Sequence, residues 1–410
     1  MVSKKKIFKD RIDAIDIMRG ISMFLMILVH MDVYWLREES MWLVAFTFIS
    51  LNFMGTSQFV FISGLGMTYS WRKSQEILDS PRLNLKRSMS RTYIMLVVAF
   101  IYNVIAILVR PDVGIEGLWY WNILQCIAVC RLMGAFLLRK PIKFRLAFYF
   151  IFLVVHSITL HWMEPRLANS ILADVIFYIF YNPLAGDIFL IFFSFFLMGS
   201  IMGDVVYDCN KYLHAESFRE DNGEKLKKTL RIWFITGFAF LSLGIIVGLE
   251  STTMDHWELI PNMNLHPSVN FQTIPLFLSV NSYSWALCCT GVHLIVLFTL
   301  FYFLDIKRKS IRPWYLFKMY GLYSLTIYFV HYIFLILPFA ISADFSLNHV
   351  NIWPVKLILY ILILGLVYNI HKKTRGRKSF EYFIKKYSSD IFKWIQEKDK
   401  KKKKGEGGIN

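Results

Sequence analysis

The sequence predicts an all-α fold, a polytopic membrane helix bundle of about ten transmembrane helices with both termini cytoplasmic. Three observations predict it. The 410 residues are 56% hydrophobic and 17% aromatic, with a mean hydropathy of +0.46, too apolar for a water-soluble domain. Runs such as IMLVVAFIYNVIAILV, LIFFSFFLMGSIMG and IVLFTLFYFL extend with their flanks to the roughly 20 residues that cross a hydrocarbon core of roughly 30 Å as a helix. They lack the alternation of a porin-like barrel. The net charge of +17, which might suggest nucleic acid, is instead sorted into alternate loops.

Taken in order, the expected spans lie at about 15–36, 42–69, 92–109, 120–138, 146–162, 187–205, 232–249, 280–304, 319–338 and 353–370. The loop 71–91 carries Arg72, Lys73, Arg82, Lys86, Arg87 and Arg91, and 139–145, 206–231, 305–318 and the tail are similarly basic. The opposite loops hold little beyond Arg37, Arg110 and Arg166. The positive-inside rule then puts the basic loops and both termini in the cytoplasm. Residues 1–14 form a basic N-terminus, 15–370 the membrane domain, and 371–410 a basic tail able to touch anionic lipid and expected to be disordered at its end.

KKKIFKDR ahead of an apolar run imitates a signal peptide, but no small-residue cleavage site follows, so the first span is expected to be retained. The five cysteines make no disulfide framework: Cys126 and Cys130 share one helix, Cys288 and Cys289 are adjacent in another, and Cys209 is cytoplasmic. No zinc signature, Walker loop or GxGxxG after a strand is present, so neither a metal nor a soluble-type nucleotide site is expected.

The first span, RIDAIDIMRGISMFLMILVH, carries charge into lipid. At 100° per residue Arg19 and His30 lie about 20° apart on the helix wheel and about 16 Å apart along the axis. Asp16 and Met23 fall on much the same stripe, so one helix face is polar from the cytoplasmic end past the midplane. Arg19 near a helix end can snorkel or pair with Asp16, whereas an imidazole as deep as His30 is a functional candidate by default. In YGLYSLTIYFVHYIF (320–334), Ser324, Tyr328 and His331 share a face, with His331 about 18 Å in, comparable in depth to His30. WNILQCIAVCR (121–131) brings Asn122, Gln125 and Cys126 together, and NFMGTSQFVFISGLG (52–66) strings Asn52, Thr56 and Ser63 along one span. Gly55, Gly64 and Gly66 read as close helix-packing points. Polar residues in lipid demand partners or a cavity, so several helices are expected to face a shared polar interior.

Two outer segments also look structured. A short amphipathic helix is expected within 162–187, before Asn182, Pro183 and Asp187. The stretch 251–285, with Pro267, Pro275, Asn270 and Asn281, suggests irregular or re-entrant backbone over the outer mouth of the cavity. His256 and His266 there read as ordinary polar groups, and His293 as a third, weaker intramembrane candidate.

In that order, RIDAIDIMRGISMFLMILVH, QFVFISGLGMTYSWRK, WNILQCIAV, FFLMGSIMGD and YSLTIYFVHY resemble the membrane acyltransferases related to heparan-α-glucosaminide N-acetyltransferase, over roughly residues 11–335. Asp16, Arg19 and Gly20 together with FISG (61–64) carry the most specific part of the likeness. The resemblance implies an enzyme that admits acetyl-CoA, or another acyl-CoA, as co-substrate from the cytoplasm and delivers the acyl group to a sugar or glycan acceptor at the outer face.

On that basis Asp16, Arg19, Arg72, Lys73 and Gln125 are cofactor-binding candidates, the cations for the phosphates of CoA. His30 is the candidate general base or transient acyl carrier, with His331 and Tyr328 as catalytic partners that orient it or stabilise the oxyanion. The lysosomal relatives resemble this chain except between the first two spans, where a luminal histidine is thought to act; MDVYWLREESMW (31–42) has none, and His30 resembles the first-helix histidine of the wider superfamily. Nothing resembles a lysosomal leader, so a plasma or cytoplasmic membrane is expected. The partners implied are the lipid bilayer and the glycan acceptor, with a homodimer left open and nucleic acid not among them. A proton-coupled transporter, or a member that binds CoA or lipid without turnover, remains the competing class.

Overall fold

The computed structural model describes residues 11–40, 42–78, 80–109, 115–119, 121–163, 166, 169–181, 188–213, 220–253, 273–342 and 344–406. Its elements are almost all helical: α1 Asp13–Trp35, α2 Trp42–Leu51, α3 Thr56–Gln75, α4 Pro81–Val109, α5 Ile123–Leu137, α6 Ile142–Met163 and α7 Ile171–Phe180. They continue with α8 Phe189–Leu213, α9 Glu220–Val247, α10 Tyr283–Leu300, α11 Tyr315–Leu322, α12 Ser324–Ile341, α13 Ile352–Thr374 and α14 Phe380–Glu406. The one sheet among the described residues is a short antiparallel pair, β1 Ser251–Thr253 against β2 Thr273–Pro275.

Eight helices among the described residues are long and apolar enough to cross a membrane, or nine if a bent pair counts as one span. The bent pair is α11 and α12, which meet at 81° where the sequence reads as one continuous span at 319–338. The expected span at 120–138 is the 15-residue α5, about 22 Å long and short of a full crossing. The expected span at 42–69 falls within one membrane-length stretch, Glu38–Gln75, which a 3₁₀ turn at Asn52–Met54 divides into α2 and α3. These departures have one physical cause: apolar composition records burial from water, and helices buried in protein need not run the full membrane thickness.

The centre of the bundle is α8, which is buried along its whole apolar length and packs most closely on α3. That approach depends on absent side chains. A Cβ on Gly64 would fall 2.1 Å from the Phe196 carbonyl oxygen, and one on Gly199 would fall 1.9 Å from that of Phe61. A second crossing brings α1 onto α11 through Gly20 and Gly321, whose added Cβ atoms would each fall 1.7 Å from a backbone oxygen of the other helix. Gly66, also expected to be a packing point, instead has open space around it. Around this centre the outer faces of α6, α9 and α13 leave Val154, Ile158, Ile235, Ile246, Leu357 and Ile361 exposed, as lipid-facing surfaces do.

Helix ends are closed by distant residues. Ile12 offers α1 no side-chain cap, and the Asp305 carboxylate, in the π-helical turn Phe301–Ile306 after α10, instead accepts from the Asp13 and Ala14 amides at 3.0 and 2.9 Å. The expected outer amphipathic helix is α7, capped by Ser170 and exposing Ile171 and Leu172. Asn182, Pro183, Asp187, and residues 254–272 with His256, His266, Pro267 and Asn270 lie outside the described residues. All five cysteines are free and buried.

Replacing Gly64 or Gly199 by valine is expected to cost about 3 kcal/mol or more, or to abolish folded protein, because backbone rather than a movable side chain occupies the space. Gly66→Ala should unfold at the wild-type temperature. Thermal unfolding of the three purified variants in detergent checks both expectations.

Candidate active site

Six helices wall a cavity of about 420 Å³, within the range of small-ligand pockets. Each presents residues at helical spacing: Arg19 and Met23 from α1, Phe59, Ser63 and Gly66 from α3, Arg91 and Met95 from α4, Ile123, Ile127 and Arg131 from α5, Ser324 and Tyr328 from α12, and Glu381 and Lys385 from α14. A smaller polar recess of about 60 Å³ adjoins it, sharing Gly66, Arg91 and Arg131 and adding Ser70, Ser74 and Arg87.

The cavity is cationic and under-neutralised. Arg19, Arg91, Arg131 and Lys385 face a single lining carboxylate, Glu381. That carboxylate is already engaged: its oxygens accept from the amides of Leu325 and Thr326 at 2.7 and 3.1 Å and from the Thr326 hydroxyl at 2.6 Å. Arg19 donates to the Gly321 carbonyl at 3.5 Å and lies 3.9 Å from Asp16, while Arg91 reaches the Ser70 hydroxyl at 3.4 Å. Arg131 Nε is buried without a hydrogen-bond partner among the described residues. Charges held this way call for an anion, because burying a cation without a partner is costly.

Tyr328 links this cavity to a pair of histidines. Its ring lies 5.7 Å from that of His331, centroid to centroid, and His331 Nε2 lies 3.0 Å from His30 Nδ1. The equal depth expected for the two imidazoles is thus a direct hydrogen bond between α1 and α12. The partners fix the protons. His331 Nδ1 lies 3.1 Å from the Ile327 carbonyl oxygen, which can only accept, so in the neutral ring Nδ1 carries the proton and Nε2 the lone pair. His30 Nδ1 must therefore donate to it, leaving the His30 Nε2 lone pair free to take a proton. Tyr332 packs against both rings, and the Tyr102 hydroxyl hydrogen-bonds Tyr328 and Tyr332, surrounding the pair with phenols.

Other sequence candidates lie elsewhere. Asp16 is buried and bound to Arg11 at 2.5 Å. Arg72 is held by Asp204 and Asp208 of α8 at 3.0 and 2.9 Å, and Asp204 is shared with the buried Arg145 of α6. Neither Arg72 nor Lys73 is among the cavity's lining residues, and Gln125 is engaged by Asn103 at 2.7 Å. Asn122 donates to Asn103 and caps α5. His293 bonds the Phe53 carbonyl at 2.9 Å and serves the α10 packing. Sequence reasoning passed over Arg131, Glu381 and Lys385. The spacing Ile123, Ile127, Arg131 at i, i+4, i+8 was the available signal for the first; the other two sit on what reads as a solvated tail.

A bundle of apolar helices thus encloses a cationic cavity whose lining residue Tyr328 packs against the His30–His331 pair, the two imidazoles themselves lying outside the cavity lining. Residues 11–233 match the model of the heparan-alpha-glucosaminide N-acetyltransferase catalytic domain, and the chain belongs to this family of membrane acetyltransferases. The matched region carries Arg19, His30, Arg91 and Arg131, while His331 and the α14 wall lie beyond it. No curated protein matches the chain.

Beside the site, two residues beyond His30, Asp32 forms a fully buried ion pair with Lys356 of α13, whose ammonium also lies 4.3 Å from the Trp353 ring centroid. Lys356→Met alone strands the carboxylate and is expected to cost about 3–5 kcal/mol, whereas Asp32→Leu combined with Lys356→Met should recover most of that loss. Unfolding of the single and double variants in detergent measures the difference. A double variant no more stable than the single one contradicts it.

Proposed function

We propose that the protein transfers an acetyl group from acetyl-CoA, entering the cavity from the side of the basic loops, to a hydroxyl or amine of a sugar or glycan acceptor. That side is the cytoplasm by the positive-inside rule, and the membrane is a plasma or cytoplasmic membrane. The single observation that carries the reading is the convergence of Arg19, Arg91 and Arg131 on a cavity that Tyr328 joins to the His30–His331 pair. Guanidiniums suit phosphate oxygens, and CoA carries several. Family membership supports the acetyl chemistry.

In this reaction the acceptor O–H or N–H attacks the thioester carbonyl while His30 Nε2 takes its proton. The C–S bond breaks, and the proton passes from the imidazolium to the departing thiolate, giving CoA-SH and the acetylated acceptor. His331 is a positioning residue: its lone pair holds His30 in the tautomer that leaves Nε2 basic and accepts from the imidazolium as it forms. The Tyr328 phenol, which lines the cavity and packs against His331, serves in this reading as donor to the carbonyl oxygen.

In liposomes supplied with radiolabelled acetyl-CoA and a glucosamine-like acceptor, His30→Ala is expected to lower transfer by about 10²–10⁴-fold while CoA still binds. Arg131→Ala should weaken CoA binding about tenfold or more, the loss typical of a charged hydrogen bond. Wild-type protein that neither binds nor consumes acyl-CoA with any sugar acceptor overturns the proposal and directs attention to proton-coupled flux through the same polar path.

A further inference from the structure

Helix α14 has two faces at right angles. Its inward face is centred on Ile384, Ser388, Ile391 and Ile395, all buried or half-buried, and it packs along α4. About 90° away on the wheel Phe383, Tyr387 and Trp394 fall within about 40° of one another. They remain 45%, 52% and 60% exposed, so no part of the described bundle covers them. Lys398 flanks this stripe on one side, its ammonium 5.2 Å from the Trp394 ring centroid, and on the other Lys386 and Lys393 alternate with Asp390 and Glu397, each lysine four residues ahead of a carboxylate. The sequence continues with five lysines, Lys400 to Lys404.

We propose that α14 is a surface-lying membrane helix whose aromatic stripe and flanking lysines dock on a leaflet bearing anionic lipid, and that this docking holds the α14 wall of the cavity in place. Three observations select lipid as the occupant. The helix follows α13, a membrane-length span ending at Thr374, after a turn through Arg375 and Gly376 at φ of 50° and 79°, so it begins where the chain leaves the bilayer. Tyr and Trp are the side chains that rest at the headgroup boundary, one end apolar and the other wet. The surplus positive charge at the end of the helix, Lys398 and the run Lys400–Lys404, complements lipid phosphates, whereas against the same end of a second copy it would meet like charge.

The first turn of this helix is also cavity wall. Glu381, Ile384 and Lys385 line the cavity, Phe380 stacks on Phe329 at 4.5 Å, and Glu381 caps α12. Displacing α14 therefore removes a wall and a cap together. The docking half of the proposal is independent of the substrate, and the cavity half rests on the donor reading above.

A spin label on Tyr387→Cys in the full chain tests the docking, since the five native cysteines are buried and leave the new thiol as the reactive one. In vesicles of phosphatidylcholine and phosphatidylglycerol the label is expected to collide more with oxygen than with a water-soluble nickel chelate, and Lys386→Glu with Lys393→Glu should reverse that order. Chelate collisions prevailing in wild-type background overturn the docking, as does exclusion of both reagents with spin–spin broadening, the signature of a second copy. In the same vesicles Phe383→Ser with Trp394→Ser should bind acetyl-CoA severalfold more weakly than wild type, and in detergent the two should bind alike. Equal affinity in vesicles overturns the link to the cavity. Absence of acetyl-CoA binding in every protein overturns it together with the donor reading, while the label still decides the docking.

Discussion

A helix that starts within a packed bundle has amino-terminal amides that must find partners there. Here the 81° bend between α11 and α12 leaves the α12 amino end open, and the Glu381 carboxylate closes it through Leu325, Thr326 and the Thr326 hydroxyl. The site depends on this one interaction. It permits α12 to start inside the bundle, which sets His331 level with His30 and turns Ser324 and Tyr328 into the cavity. A carboxylate at a helix amino terminus is favoured by the dipole as well as by the hydrogen bonds. Its charge is thereby committed, which leaves the arginines around it wanting another anion.

The fold also divides its charges by what they face. Where charge is structural it is matched: Asp305 caps α1, Asp204 and Asp208 hold Arg72 and Arg145, and Asp32 meets Lys356. Where charge lines the cavity it is in surplus. A buried ion pair broken on one side is strongly destabilising, so the fold keeps those pairs together, while the cavity cations outnumber the one carboxylate that lines it with them. The histidine pair follows the same economy of partners, since one carbonyl, that of Ile327, fixes the tautomers of both rings.

Much of this was legible in the sequence, and the part that was not has a physical reason. The polar stripe of α1, with Arg19 and His30 on one face, and the matching depth of His331 follow from helical periodicity alone, which is local. The bend at Tyr323 does not, because YLFKMYGLYSLTIYFVHY is predominantly apolar and has no proline, and the partners that close the broken helix end lie more than fifty residues away in sequence, Glu381 among them. Arg72 and Gln125 read as candidate ligands because they are polar and well placed along their helices. Their partners Asp208, 136 residues away, and Asn103, 22 residues away, become neighbours only on folding. Arg131 lies in the middle of the run 120–138 expected to cross the bilayer, and only folding brings it beside Arg19 and Arg91 on the wall that the short α5 supplies.

The cavity draws one wall from Arg19 and Met23 and another from Glu381 and Lys385, so a ribosome makes the first long before the last. Every span between them must be inserted while three arginines face an unfinished chamber and the α12 amides have no cap. Closing a loop of this size is slow compared with pairing neighbouring helices. The protein is therefore assembled in its lipid for most of its synthesis as a bundle without a binding chamber, and the chamber closes in a late, discrete step of biogenesis. Any factor that shields half-made membrane proteins would meet this chain at that stage.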